Sequence, residues 1–235
     1  MVFYLYFTLM VGLEYAAAMI LMFSVFKFNH RGQYMKISSI CVLMSQISYA
    51  LCVLGWLEVI PVAAVIVWTL CMWLLFRLRL AHALIVTVCT YLAFALIQGS
   101  LILTHMLLIE RGVLSGPIMD LISLSSASLA LWASYYVRIR NWGFTFVPEG
   151  GDLAAPGRDH NNMRFLLVLV MAMTGFVIAY AFTILYENIE SFLAAVLLLL
   201  PTIGMLLYLL WVKEVQKYAG KLPVIVPKHE LRSGE

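Results

Sequence analysis

The chain has 235 residues, 64% of them hydrophobic and only 11% charged, with a mean hydropathy of +0.98, which excludes a water-soluble domain and makes lipid the solvent for most of it. Backbone groups in the bilayer core find no water, so a spanning segment is a helix or part of a closed barrel, and apolar runs this long exclude the barrel. The net charge of +3 carries no message about nucleic acid, because topology accounts for the basic residues.

A hydrocarbon core of roughly 30 Å asks for about 20 mostly apolar residues per helix. The runs fall at 2–26, 36–54, 57–76, 80–109, 116–137, 165–186 and 191–212. They predict an all-α polytopic membrane protein, a bundle of seven transmembrane helices over 1–213 with a short tail at 214–235. In the first run Ala16, Ala17 and Ala18 look like a signal-peptide cleavage site, yet the run lacks a basic n-region and is too long, so it reads as a retained span. Gly55, Trp56, Leu57, Glu58 and Pro61 make a tight turn between the second and third runs. After the fifth, Trp142, Phe144 and Phe146 suit the headgroup region, and Pro148 to Gly151 with Pro156 and Gly157 read as a flexible link. The last helix is expected to continue through Lys213 to Lys217 and to end soon after, before Gly220, Pro223 and Pro227.

Orientation follows from the fifteen Lys and Arg residues. Lys27, Arg31 and Lys36 follow the first span; Arg77 and Arg79 the third; Arg138, Arg140, Arg158 and Arg164 the fifth; Lys213, Lys217, Lys221, Lys228 and Arg232 the seventh. Only Arg111 falls on the other side, which predicts an N-terminus outside and a cytoplasmic C-terminus. The outer connections carry Glu58, Glu110, Asp120, Glu187 and Glu190. That acidic rim would favour a cationic ligand; the plainer explanation is that acids do not oppose translocation.

Cys41, Cys52, Cys71 and Cys89 all lie within spans, without C-x-x-C spacing, and read as small apolar fillers. No nucleotide-binding, zinc-peptidase, serine-hydrolase or calcium-loop motif occurs, so neither a cofactor nor a metal is expected. An enzyme needs a nucleophile within reach of a base. His82 and Cys89 are two turns apart on one helix, roughly 10 Å by helical rise. A membrane cysteine peptidase using His82 with Cys41 is therefore the weaker alternative to a non-enzymatic protein.

Polar side chains at bilayer depth are the informative ones, since each costs several kcal/mol there unless it is partnered. Glu14 lies midway along the first span, with Ala17 and Ala18 one turn on. Either it forms part of a ligand, ion or proton site, or it is a protonated carboxyl hydrogen-bonded to a neighbouring helix. Ser39, Gln46 and Tyr49 share a stripe of the second span, and Tyr91, Gln98 and His105 are stacked at seven-residue spacing along the fourth. Glu14, Gln46, Tyr91, Gln98 and His105 are the candidate ligand-binding residues of an outward-opening cavity; the alternative for the glutamines is polar glue between helices. In the fifth span Ser123 with Ala127, and Ala130 with Ser134, form small-xxx-small pairs that allow close packing, within the bundle or between protomers. Pro201 leaves one backbone bond unmade in the seventh span and predicts a kink beside Thr202 and Gly204.

The layout resembles the membrane sensor domain of Agr-type peptide-pheromone receptor kinases. The resemblance rests on seven spans, on the basic turn Phe76-Arg77-Leu78-Arg79 before a fourth span containing Tyr91, and on the exit through Trp211-Val212-Lys213-Glu214-Val215-Gln216-Lys217. It implies a receptor that binds a small secreted peptide in an outward-facing bundle and signals through its last helix. Those receptors continue into a kinase domain, whereas this chain stops; His229-Glu230-Leu231-Arg232 is similar to a phosphoacceptor box but follows Pro227 where a helix should run. The expectation is a receptor or sensor-like cell-membrane protein whose partners are membrane lipid, a small extracellular ligand, and a second copy or a partner membrane or kinase protein, with no nucleic acid. The alternative is a transporter or permease subunit with a midplane site around Glu14.

Overall fold

The computed structural model describes residues 2–28, 32–108, 116–144, 170, 174–175 and 189–219. All regular structure among the described residues is helical: α1 (Val2–Val25), α2 (Tyr34–Val53), a 3-10 turn (Leu57–Val59) leading into α3 (Ile60–Phe76), α4 (Leu80–Leu108), α5 (Gly116–Ile139) and α6 (Ile189–Ala219). Five stretches, Phe3–Val25, Tyr34–Val53, Leu57–Phe76, Leu80–Leu108 and Pro117–Ile139, are long and apolar enough to cross a membrane, and α6 carries a shorter apolar segment at Leu199–Val212. The expected run at 165–186 lies outside the described residues except for Val170, Thr174 and Gly175, which are helical. Arg111, the link up to Arg164 and the chain after Ala219 also lie outside them.

The helix ends are built by a shared device. At the end of α2, the Trp56 N–H reaches the Leu51 carbonyl at 2.9 Å and the Gly55 N–H the Cys52 carbonyl at 3.1 Å. Gly55 sits at φ +75°. This is a Schellman cap, which satisfies carbonyls the helix would otherwise leave open. The same pattern closes α5, where Trp142 donates to Val137 and Asn141 to Arg138, with Asn141 at φ +53°. In α1 the Phe28 N–H reaches Phe23 past Lys27 at φ +51°, and α3 stops at Arg77 with φ +52°. Pro61 lies in the first turn of α3, where its missing N–H costs no helical bond.

α1 is the hub: it packs against α2, α5 and α4, while α4 packs against α3, α5 and α6. The α1 and α5 faces that meet are lined with small residues. Ala17 and Ala18 are buried on α1, and Ser126, Ala127, Ala130 and Ser134 on α5. The small-xxx-small face of α5 is thus used inside the bundle, letting two backbones approach where lipid supplies no hydrophobic drive. On α4, Gly99 faces α6: a Cβ there would make an ordinary contact with the Val196 side chain at 3.5 Å. Leu199, Leu206 and Leu210 form the buried face of α6. Pro201 is accommodated within that helix, with the Thr202 hydroxyl donating to the Leu199 carbonyl at 2.7 Å.

Packing is unequal along the bundle. Adjacent antiparallel helices gather Lys27, Lys36, Arg77, Arg79, Arg138 and Arg140 at one end, where α1, α3 and α5 finish and α2 and α4 begin. That basic half is closely packed: Met19, Met22, Phe23, Phe26, Ile40, Met44, Met72, Ala83 and Val86 are all buried. Its floor is an aromatic cluster, Phe23 lying 5.4 Å from Phe76 and 5.6 Å from Phe28, and Phe26 lying 6.1 Å from Phe144, between ring centroids. In the opposite half, by contrast, no described residue before Ala17 on α1 and none after Phe94 on α4 is buried.

Candidate functional site

The half-open end is where the polar side chains converge, and α1 presents most of them. Its first two turns point Tyr4 toward α2 and Tyr6 toward α5. The Tyr4 hydroxyl donates to Gln46 Oε1 at 2.6 Å, and the Tyr4 ring stands edge-on to Tyr49 at 4.8 Å, as does Phe7 at 5.6 Å. The Tyr6 hydroxyl donates to Asp120 Oδ2 at 2.6 Å.

Deeper along α1, the half-buried Glu14 carboxyl is the meeting point of three helices. Gln98 Nε2 of α4 donates to its Oε1 at 3.4 Å, and the Ser123 hydroxyl of α5 also hydrogen-bonds to it. Helical side chains lean toward the N-terminus, so the Glu14 carboxyl sits about a turn above its own Cα and meets Ser123, one turn below Asp120 on the same face of α5. Tyr15, the next residue, faces the other way: its hydroxyl shares a 3.0 Å hydrogen bond with Ser48 of α2, and its ring stands edge-on to Trp68 of α3 at 6.2 Å. The first fifteen residues therefore tie α1 by a polar contact to α2, α4 and α5 and by a ring contact to α3.

Of the five residues singled out from sequence, Glu14 and Gln98 are brought together. Gln46 is engaged by Tyr4, which lies ten residues before Glu14, roughly 15 Å along the axis. Tyr91 packs against the buried core. His105 lies seven residues beyond Gln98, and its buried Nε2 meets no hydrogen-bond partner among the described residues. The partners sequence reasoning passed over are Tyr4, Tyr6, Asp120, Ser123, Tyr15 and Ser48. Three tyrosines within fifteen residues of an apolar span were the available signal, since a buried phenol hydroxyl needs a partner.

Chemically, the cluster offers two carboxyl groups, two amides, an imidazole and aromatic edges, without a Lys or Arg among the described residues of that half. It can hydrogen-bond a polar guest and hold positive charge. Among the described residues no group of three or more His, Cys, Asp or Glu is placed to hold a metal ion, and the four cysteines are free thiols. No protein-family model, curated protein or solved structure matches the chain.

Proposed function

We propose that the protein is a receptor-like integral membrane protein of seven spans, N-terminus outside and C-terminus cytoplasmic, that binds a small extracellular ligand in its outward-facing half. The ligand class favoured is a secreted peptide, and the signal passes to a cytoplasmic or membrane partner. One observation carries the reading: the basic half is sealed by packed apolar and aromatic side chains, while in the opposite half no described residue of α1 before Ala17 or of α4 after Phe94 is buried, and Glu14, Gln98, Gln46 and Asp120 are presented there. With bases kept in the cytoplasm, the open half faces outward. The sealed floor favours a sensor over a conduit, because a guest held above it meets packed apolar and aromatic side chains of the described helices.

The test is saturable binding of a panel of small secreted peptides to the protein in nanodiscs, followed by intrinsic tryptophan fluorescence. Gln98→Ala and His105→Ala are expected to weaken binding about tenfold, the effect of losing roughly 1.4 kcal/mol of contact. No saturable binding across the panel sinks the proposal.

A transporter reading draws on the Glu14 cluster, a carboxyl at mid-depth shared by three helices that would have to rearrange to release a guest. It requires uptake into proteoliposomes that stops in Glu14→Gln. Uptake that survives this substitution counts against it.

A further inference from the structure

The serine and threonine side chains of these helices mostly return their hydroxyls to their own backbone. Ser24 donates to Ile20, Thr90 to Val86, Thr104 to Ser100, Ser128 to Leu124, Ser134 to Ala130 and Thr202 to Leu199, all between 2.6 and 2.9 Å. This is the usual way a hydroxyl is satisfied within a membrane helix. Thr69 of α3 and Thr87 of α4 depart from it. Both are buried, at 5% and 0% exposure, and neither Oγ1 has a hydrogen-bond partner among the described residues. Trp68, next to Thr69, is 1% exposed, and its indole Nε1–H likewise has no partner among the described residues.

The topology places these groups at one depth. α3 and α4 pack as an antiparallel hairpin about the Arg77–Arg79 turn. Thr69 lies eight residues before Arg77 and Thr87 eight residues after Arg79, so both come to the same depth, roughly 12 Å from the turn by helical rise. Trp68 is at that level too, its ring lodged against Tyr15 of α1 at 6.2 Å. One obligate donor and two hydroxyls thus share one buried layer of the bundle. Buried polar groups are matched almost without exception, and a group unmatched by protein is matched by bound water. An indole N–H can only donate and a hydroxyl can both donate and accept, so the guest they jointly suit is small and carries both acceptor and donor capacity.

We propose that the α3–α4 hairpin holds one or a few ordered water molecules, bound by Trp68 Nε1–H and the hydroxyls of Thr69 and Thr87. The site lies apart from the Glu14 cluster and stands whether or not the receptor reading does. In it the water is a structural component that lets three polar side chains sit in a layer otherwise made of Val65, Met72, Val86 and Val88.

Isosteric Thr→Val substitution fixes the sign. In a dry layer, Thr87→Val removes an unmatched hydroxyl and raises Tm; a hydroxyl turned back onto its own helix leaves Tm unchanged. With bound water, the substitution strips a partner from the water and from Trp68, and Tm falls by about 2–6 °C, the equivalent of one buried hydrogen bond or two in a chain of this length. Thr69→Val repeats the measurement independently. The second readout is on the wild-type protein in nanodiscs: the Trp68 indole N–H resonance, assigned by its loss in Trp68→Phe, is expected to show a cross-peak to water that Thr87→Val weakens. A raised or unchanged Tm in both valine variants, or an indole with no cross-peak to water, overturns the proposal.

Discussion

Gly143→Ala tests how the basic end is sealed. Gly143 sits at φ +142°, and a Cβ built on it would lie 2.6 Å from the Val25 carbonyl oxygen and 3.0 and 3.2 Å from Lys27 Cγ and Cε. A lysine stem can swing aside, but a backbone oxygen cannot. That oxygen also accepts the Phe144 N–H at 2.7 Å, the bond that docks the chain after α5 onto the end of α1. An alanine must therefore adopt a conformation L-residues avoid, at about 1–3 kcal/mol, and break a hydrogen bond worth about 0.5–1.5 kcal/mol. The combined loss is roughly 2–4 kcal/mol, or a Tm lowered by about 4–15 °C in a chain of this length. Hydrogen exchange should rise at Phe26 to Phe28 and at Phe144, where the Phe26–Phe144 contact is lost, and leave the far end of α4 unchanged. Gly55→Ala is the control. Its φ is +75° but nothing lies within 4 Å of the added carbon, so it meets only the left-handed penalty of about 1 kcal/mol. If the two variants melt alike, the clash with Val25 is not what requires glycine at 143.

Phe23→Ala removes a 2% exposed ring from between Phe28 and Phe76 and should cost about 3–5 kcal/mol in denaturant titration; a loss under 1 kcal/mol would mean that the aromatic floor is not tightly packed. Ala130→Leu overfills the α1–α5 seam at a fully buried position and should cost about 1–3 kcal/mol, whereas Leu131→Ala, on the exposed face, should cost far less. Gln98→Ala and Ser123→Ala each take one partner from Glu14 and should destabilise by about 0.6–1.7 kcal/mol, with the double variant departing from additivity because both act on one carboxyl. Strict additivity in that cycle would show the two bonds to be independent.

The helices were readable because a span leaves a long apolar run, and their ends because a run stops where charge or glycine enters. The observed ranges of α1 to α5 follow the expected runs closely. Gly55 announced the turn before α3, but the caps at Lys27 and Arg77 were invisible, since nothing in those side chains advertises a positive φ. Glu14 stood out as an acid in an apolar helix, and Gln98 as an amide. Which polar groups would meet was another matter. It depends on helix rotation, and a hydropathy pattern nearly uniform around α1 fixes none. Thus Gln46 was grouped with Glu14, whereas Tyr4 claims it, and the three tyrosines of α1, Tyr4, Tyr6 and Tyr15, carry hydrogen bonds to other helices that no hydropathy pattern displays.

The three left-handed caps at the basic end carry a trade that Gly55, at the opposite end, does not. A glycine would occupy φ near +52° without strain, yet Lys27 and Arg77 stand there, each costing its helix about 1 kcal/mol. What a base adds at these positions is charge at the end that also holds Lys36, Arg79, Arg138 and Arg140. Orientation is decided by that charge during insertion, and stability by the finished fold, so the two demands pull one residue in opposite directions. Arg77 separates them cleanly: it is exposed, whereas the Lys27 stem also covers Gly143. Arg77→Gly is expected to raise Tm by about 2–4 °C, the equivalent of roughly 1 kcal/mol at this chain length. The same substitution should increase the fraction of chains whose Gly55 turn, marked by a cysteine at Leu57, is labelled from the cytoplasmic side. If Arg77→Gly lowers Tm, the strained cap is held by contacts of the arginine itself, and charge is not the reason a base sits there.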